Sequence, residues 1–168
     1  GATSVIYNVI AGGGAVVTAL TSNKKVRFLT FLGSTLALNG ADAERAWNES
    51  SWITTGGAFD LANIPSSNTV NLCAEFLSRV YVAGDTAQPA RLYYSGAASG
   101  GAVSWTVGNG NVDISPSDGN GPINALGRVP NYLLIFKERS FSRWNFRSAF
   151  PEELLNLGAY SQESVITA

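Results

Sequence analysis

Apolar residues in this chain recur at every second position, in runs far too short for helices and separated by turn-forming clusters. Val26 to Phe31 and Thr35 to Leu38 form one pair of such runs. Phe76 to Ala83 and Arg91 to Tyr94 form a second, and Tyr132 to Phe136 with Phe141 to Trp144 a third. A period of two puts alternate side chains on opposite faces of a strand. The intervening Asn39-Gly40, Gly84-Asp85, Ser95 to Gly101, Gly108 to Gly110 and Ser115 to Pro122 carry the residues that turns require. The expected class is all-β, in short antiparallel strands. One helix is expected, about two turns over Pro151 to Gly158. There Pro opens, Glu152 and Glu153 follow, and Gly closes the segment.

The runs repeat. Ser34 to Gly40, Ser78 to Gly84 and Asn131 to Lys137 share one alternation. Each is followed by a strand mixing Arg and aromatic residues: Arg45 to Asn48, Arg91 to Ser95 and Ser142 to Asn145. The offset is 44 residues from Ser34 to Ser78 and 53 from Ser78 to Asn131, with Trp52 and Trp105 closing the first two units. Hairpins and an aromatic at a period of about 40–50 residues suit the blades of a β-propeller. A β-sandwich with similar hairpins is the alternative. The whole chain, 1–168, is expected to be one propeller portion, with units at 1–60, 61–115 and 116–157 and the start of a further blade at 158–168. Propellers close with about 4–8 blades. An incomplete ring is therefore expected, completed by residues outside this chain. The absence of any Met fits an excerpt from a longer chain, although Gly1 also allows simple loss of an initiator.

Composition removes several kinds of chemistry. Without His, imidazole bases and His-ligated metals are excluded. With Cys73 as its one cysteine, the chain forms no internal disulfide and no thiolate cluster. Eleven basic residues against twelve acidic give no field strong enough for non-specific hold on nucleic acid or anionic lipid. No signal-peptide pattern, myristoylation site or membrane-length apolar run is present, so a soluble chain without a membrane anchor is expected.

Candidate sites are sparse. Asp113, Asp118 and Asn120 supply oxygens in a Gly/Ser/Pro-rich loop and form a weak Ca²⁺ candidate; the turn reading is stronger there. That loop also falls short of the sialidase Asp-box, with Pro116 and Asn120 in place of its Ser and Gly. Glu44, Glu49, Glu75, Glu138, Glu152 and Glu153 show no spacing that picks out a glycosidase pair. Lys137-Glu138-Arg139 reads as a charged hairpin tip. Arg143, Arg147 and Lys137 beside Trp144 and Phe146 are candidates to grip a sugar or phosphate, against the commoner solvated edge. Cys73, in an apolar context, reads as a packing residue. Gly12-Gly13-Gly14 lacks the residues of a phosphate loop and reads as a hairpin turn. No catalytic constellation or cofactor site assembles, and a non-enzymatic role is expected.

Several blocks occur in a characteristic order. They are Arg79-Val80-Tyr81-Val82-Ala83-Gly84-Asp85, Pro89-Ala90-Arg91-Leu92-Tyr93-Tyr94-Ser95, Trp105, Asp118-Gly119-Asn120-Gly121-Pro122-Ile123, and Asn131-Tyr132-Leu133-Leu134-Ile135-Phe136-Lys137-Glu138-Arg139-Ser140. Together they resemble the β-propeller of structural tail proteins of tailed bacteriophages, of the tail hub, nozzle and head–tail completion type. The likeness spans about residues 25–168, and Gly158 to Val165 resembles the segment that opens the family's next blade. It implies a virion component of the tail or head–tail connector, assembled in the host cytoplasm. It also implies partners: copies of itself in a ring, neighbouring tail, portal or adaptor proteins, and DNA in transient contact. Arg79 and Arg91 are then expected to guard edge-prone strands. Gly84, Asp85, Asp118 and Gly119 would set turns, while Tyr93, Tyr94, Trp105, Tyr132, Phe136, Lys137 and Arg139 would serve packing or assembly. The alternative is a glycan-binding or glycosidase-like propeller that stacks sugars on exposed Trp47, Trp52, Tyr93 and Trp144.

Overall fold

A computed structural model describes residues 4–7, 15–21, 23–66, 69–115, 121–155, 159, 161–162 and 165. Twelve strands form three four-stranded antiparallel meanders, following a separate hairpin of β1 (Ser4–Tyr7) and β2 (Ala15–Leu20). The first meander contains β3 (Arg27–Phe31), β4 (Ser34–Leu38), β5 (Arg45–Trp47) and β6 (Trp52–Ile53). The second contains β7 (Leu72–Phe76), β8 (Arg79–Ala83), β9 (Arg91–Tyr94) and β10 (Gly110–Asp113). The third contains β11 (Ile123–Val129), β12 (Tyr132–Lys137), β13 (Phe141–Trp144) and β14 (Glu152–Leu155). In each sheet the strands pair in sequence order, as in a propeller blade. The repeated runs are β4, β8 and β12, always second in their sheet; the Arg/aromatic runs are β5, β9 and β13, always third.

The three sheets stack in chain order. One apolar cluster, including Leu36, Phe59, Val80, Val82 and Trp105, lies between the first and second. Another, including Tyr81, Leu92, Leu126, Ile135 and Trp144, lies between the second and third. The middle sheet is thus covered on both faces, which is why Val80, Tyr81, Val82 and Ala83 are all buried instead of alternating. The first strands pack side by side, β3 against β7 and β7 against β11. Such convergence is the blade-like feature that an ordinary pair of facing sheets lacks.

Turn chemistry sets the ends. Leu32-Gly33 and Leu77-Ser78 are two-residue hairpin loops with positive φ at both positions, the I′ geometry that suits strand twist. At the opposite end Gly84, at φ +92°, lies so close to Asn71 that an added Cβ would stand 2.1 Å from its Oδ1. Gly40 meets the same Asn71 from the first sheet, at 2.9 Å from its Cβ. These two glycines let one asparagine fill the joint between neighbouring sheets.

The helix expected over Pro151 to Gly158 is not formed: Glu152–Leu155 is strand β14, and 156–158 lie outside the described residues. Pairing wins because Arg143 Nε donates to Glu152 Oε2 at 2.9 Å across the β13–β14 ladder, and a segment this short has little intrinsic helix stability. The described helical turns are the 3-10 segments Gly57–Phe59 and Leu61–Asn63, which lead from the first sheet to the second. The Gly12 to Gly14 triplet lies outside the described residues, but the strands flanking it pair antiparallel.

Tyr81 is fully buried among Tyr94 and Trp144, and its hydroxyl has no hydrogen-bond partner among the described residues. Desolvation pushes its ionisation well above the usual tyrosine range. Tyr81→Phe should therefore raise stability, by about 1 kcal/mol, since it removes an unsatisfied polar group and keeps the ring. A urea midpoint that falls would show that the hydroxyl has a partner after all.

Candidate functional site

Where the first strands meet, β3, β7 and β11 border a groove of about 320 Å³. Phe28 and Thr30, Cys73 and Glu75, and Gly127 and Arg128 contribute from the three strands, and Gln162 closes one side. Gln162 acts as a substitute strand on β11. Its side-chain amide pairs with the backbone of a single residue: Leu126 N–H donates to Oε1 at 2.8 Å, and Nε2 donates to Leu126 O at 2.7 Å. Asn124 Nδ2 donates to Ala159 O at 3.2 Å beside it, and Gly127 leaves room for Val165. Ala159, Gln162 and Val165 thus lie beside β11.

The charge in this groove is internally balanced. Arg128 donates through Nη1 to Glu75 Oε2, joining the third sheet to the second. Desolvation pushes the Cys73 thiol up to about 12, outweighing the opposing effect of Arg27, so the sulfur stays protonated at neutral pH. The groove therefore combines apolar strand surface, one paired charge and an unreactive thiol.

A second cluster centres on Asp85, which sequence placed in a turn. The residue is only 3% exposed, and its carboxylate ties the connection before β7 to the second sheet. Ser66 Oγ and Tyr93 OH donate to Oδ2 at 2.6 and 2.7 Å, and the Ala87 N–H donates to Oδ1 at 2.9 Å. Burial alone would raise its pKa. The hydrogen bonds from Ser66, Tyr93, Ala87 and Gln88 outweigh that and hold the carboxyl below its ordinary value. Tyr93 is shifted upward, by desolvation first and by the neighbouring Asp85 carboxylate. Ser66 and Gln162 carried no recognisable sequence signal, because each acts across a long chain separation.

The other expected residues are spread through the sheets. Arg79 lies on interior strand β8 rather than guarding an edge; its Nη1 donates to Ser95 O at 2.7 Å and Gly108 O at 2.8 Å. Its guanidinium also sits 4.4 Å from the Phe146 ring centroid. Arg91, on interior strand β9, makes a two-pronged bond to Asp113, Nε to Oδ1 at 2.7 Å and Nη2 to Oδ2 at 2.9 Å. Asp113 is paired with Arg91, and its pKa is lowered first by that bond. Asp118, Gly119 and Asn120 lie outside the described residues, and no group of three metal-ligating side chains occurs among the described ones.

Lys137 is not at a hairpin tip. It is 1% exposed, and its Nζ donates to the carbonyls of Ile114 and Ser115 at 3.1 and 3.0 Å, joining the second sheet to the third; Glu138 and Arg139 form the exposed turn. Phe136 stacks on Phe141, with centroids 5.4 Å apart, and Tyr132 lies 4.8 Å under the Arg143 guanidinium. Trp105 is buried, its Nε1 donating to Phe59 O at 2.8 Å. Tyr94 packs edge-on to Trp144 and Phe146. Of the four aromatics expected to be exposed, Tyr93 and Trp144 are buried; Trp47 and Trp52 are half-buried, 5.9 Å apart on the outer hairpin of the first sheet. The six glutamates are dispersed: Glu75 holds Arg128, Glu152 holds Arg143, Glu153 accepts from Ser115 Oγ, and Glu44 is buried.

Among the described residues no helix is long and apolar enough to cross a membrane. No protein-family model matches the chain, and no match is found among curated proteins.

Proposed function

We propose that this chain is a non-catalytic structural component of a tailed-phage tail or head–tail connector, working as an arc of propeller blades. The observation that carries the reading is the stacking of three like meanders with their first strands drawn together along one groove. That arrangement suits a wall built around a channel. Copies of the chain would continue the arc into a ring of cyclic symmetry, next to portal, adaptor or other tail proteins. The paired Glu75 and Arg128 leave the groove with little net field, as passage of DNA without retention requires.

The test is co-expression with tailed-phage portal and adaptor proteins, followed by affinity purification and electron microscopy. Recovery of the chain in a ring-shaped complex is expected. The Trp47–Trp52 pair supports a second reading, a glycan-binding propeller. Glycan-array binding abolished by Trp47→Ala or Trp52→Ala, with no recovery of tail partners, would replace the first reading by the second.

A further inference from the structure

We propose that the hairpin-tip end of the three sheets is a self-complementary surface that pairs with the same end of a second copy of this chain. In every meander the loops joining strands one to two and three to four fall at one end. Arg128 with Glu75 and Arg79 with Phe146 put these ends of the second and third sheets together, and the shared approach of Gly40 and Gly84 to Asn71 at the other end aligns the first sheet with the second. Four of the five exposed large apolar side chains among the described residues lie on these loops: Leu32, Leu77, Val107 and Phe150, the last two more than two-thirds exposed.

The backbone adds an independent sign. Leu32 and Leu77 occupy equivalent I′ positions at φ +53° and +49°, where Asn, Asp or Gly would sit without strain. Keeping leucine there, half in water, makes sense if the side chain is covered in the assembled state. The same end also holds a receptor for such a knob. A cleft of about 240 Å³ between the tips of the second and third sheets is lined by Phe76, Leu77, Val129 and Pro130, with Arg128 at its side.

Charge selects a second copy as the occupant. Exposed Glu49 lies on the outer loop of the first sheet and exposed Arg147 on the outer loop of the third, with the second sheet between them. A two-fold axis through the tip of the middle sheet sets the first sheet of one copy over the third sheet of the other. Glu49 then faces Arg147 of its counterpart, and Leu32 reaches the cleft beside Pro130. Both contacts occur twice, as an isologous interface demands. The pairing is independent of the functional reading above, because ring closure would use the open faces of the outer sheets and not the tips.

Light scattering coupled to size exclusion tests this on the full chain. The wild type is expected to run at an even multiple of the 17.7 kDa chain mass. Leu32→Asn creates an Asn-Gly I′ turn, so its melting temperature should hold or rise while the particle mass halves. Glu49→Arg and Arg147→Glu should each halve the mass, and the two together should restore it. A wild type of single-chain mass at the highest soluble concentration overturns the proposal. So does a mass unchanged by Leu32→Asn and by both charge reversals; a ring that persists through all of them would leave only ring closure standing.

Discussion

Trp105→Ala should destabilise the chain by about 3–5 kcal/mol, the range for deleting a large buried aromatic. The side chain is 3% exposed and lies in the cluster that joins the first two sheets. Its loss opens a cavity there and also strands the Phe59 carbonyl, which accepts from the indole Nε1. For a chain of this size that amounts to a drop in melting temperature of about 10 °C. Trp52→Ala is the matched control: Trp52 is half-buried on the two-residue outer strand β6 and should lose clearly less. Equal losses for the two would show that Trp105 does not bind the sheets together. Thermal unfolding followed by near- and far-UV circular dichroism reads both.

Asp85→Ala should cost about 3 kcal/mol at neutral pH, because it leaves the Ser66 and Tyr93 hydroxyls and the Ala87 N–H without their acceptor in a buried site. Asp85→Asn keeps the shape and should lose less. The effect depends on pH in a fixed direction. The folded-state carboxyl is held below its unfolded value of about 3.9, so its contribution is present above that pH. It disappears as pH falls through the lower folded value. Asp42 and Asp113 shift the same way, so the wild type should weaken in acid at several sites. The gap between wild type and Asp85→Asn should therefore be widest above pH about 4 and close below it. Urea midpoints across pH would show this; a gap constant down to the acid limit would mean that the carboxylate charge plays no part.

The elements legible in the sequence were those whose local pattern and tertiary setting agree. The runs at β4, β8 and β12 are interior strands whose apolar character survives burial on one or both faces, and so their repeat could be read directly. The first strands of the second and third sheets were harder. The segment Ile123–Val129 is broken by Gly127 and Arg128, whose reasons lie elsewhere: Val165 crowds the glycine, and Glu75 pairs with the arginine. The punctuation of Pro151 to Gly158 spoke for a helix, but the ladder to β13 decided the outcome. Lys137 misled for a similar reason. A lysine beside Glu and Arg resembles a solvated turn, and only the approach of the Ile114 and Ser115 carbonyls gives its ammonium a buried place. Of the two clusters, Asp85 was visible as a turn residue, whereas its partners Ser66 and Tyr93 lie 19 and 8 positions away and emerge only with the fold.

Single-particle electron microscopy of the purified chain, alone and mixed with phage portal and tail proteins, addresses the proposed structural role most directly. The expected images are rings of cyclic symmetry with an open centre, in which β3, β7 and β11 face the channel. Compact particles with no central opening under both conditions would contradict the proposed role in a tail or connector wall.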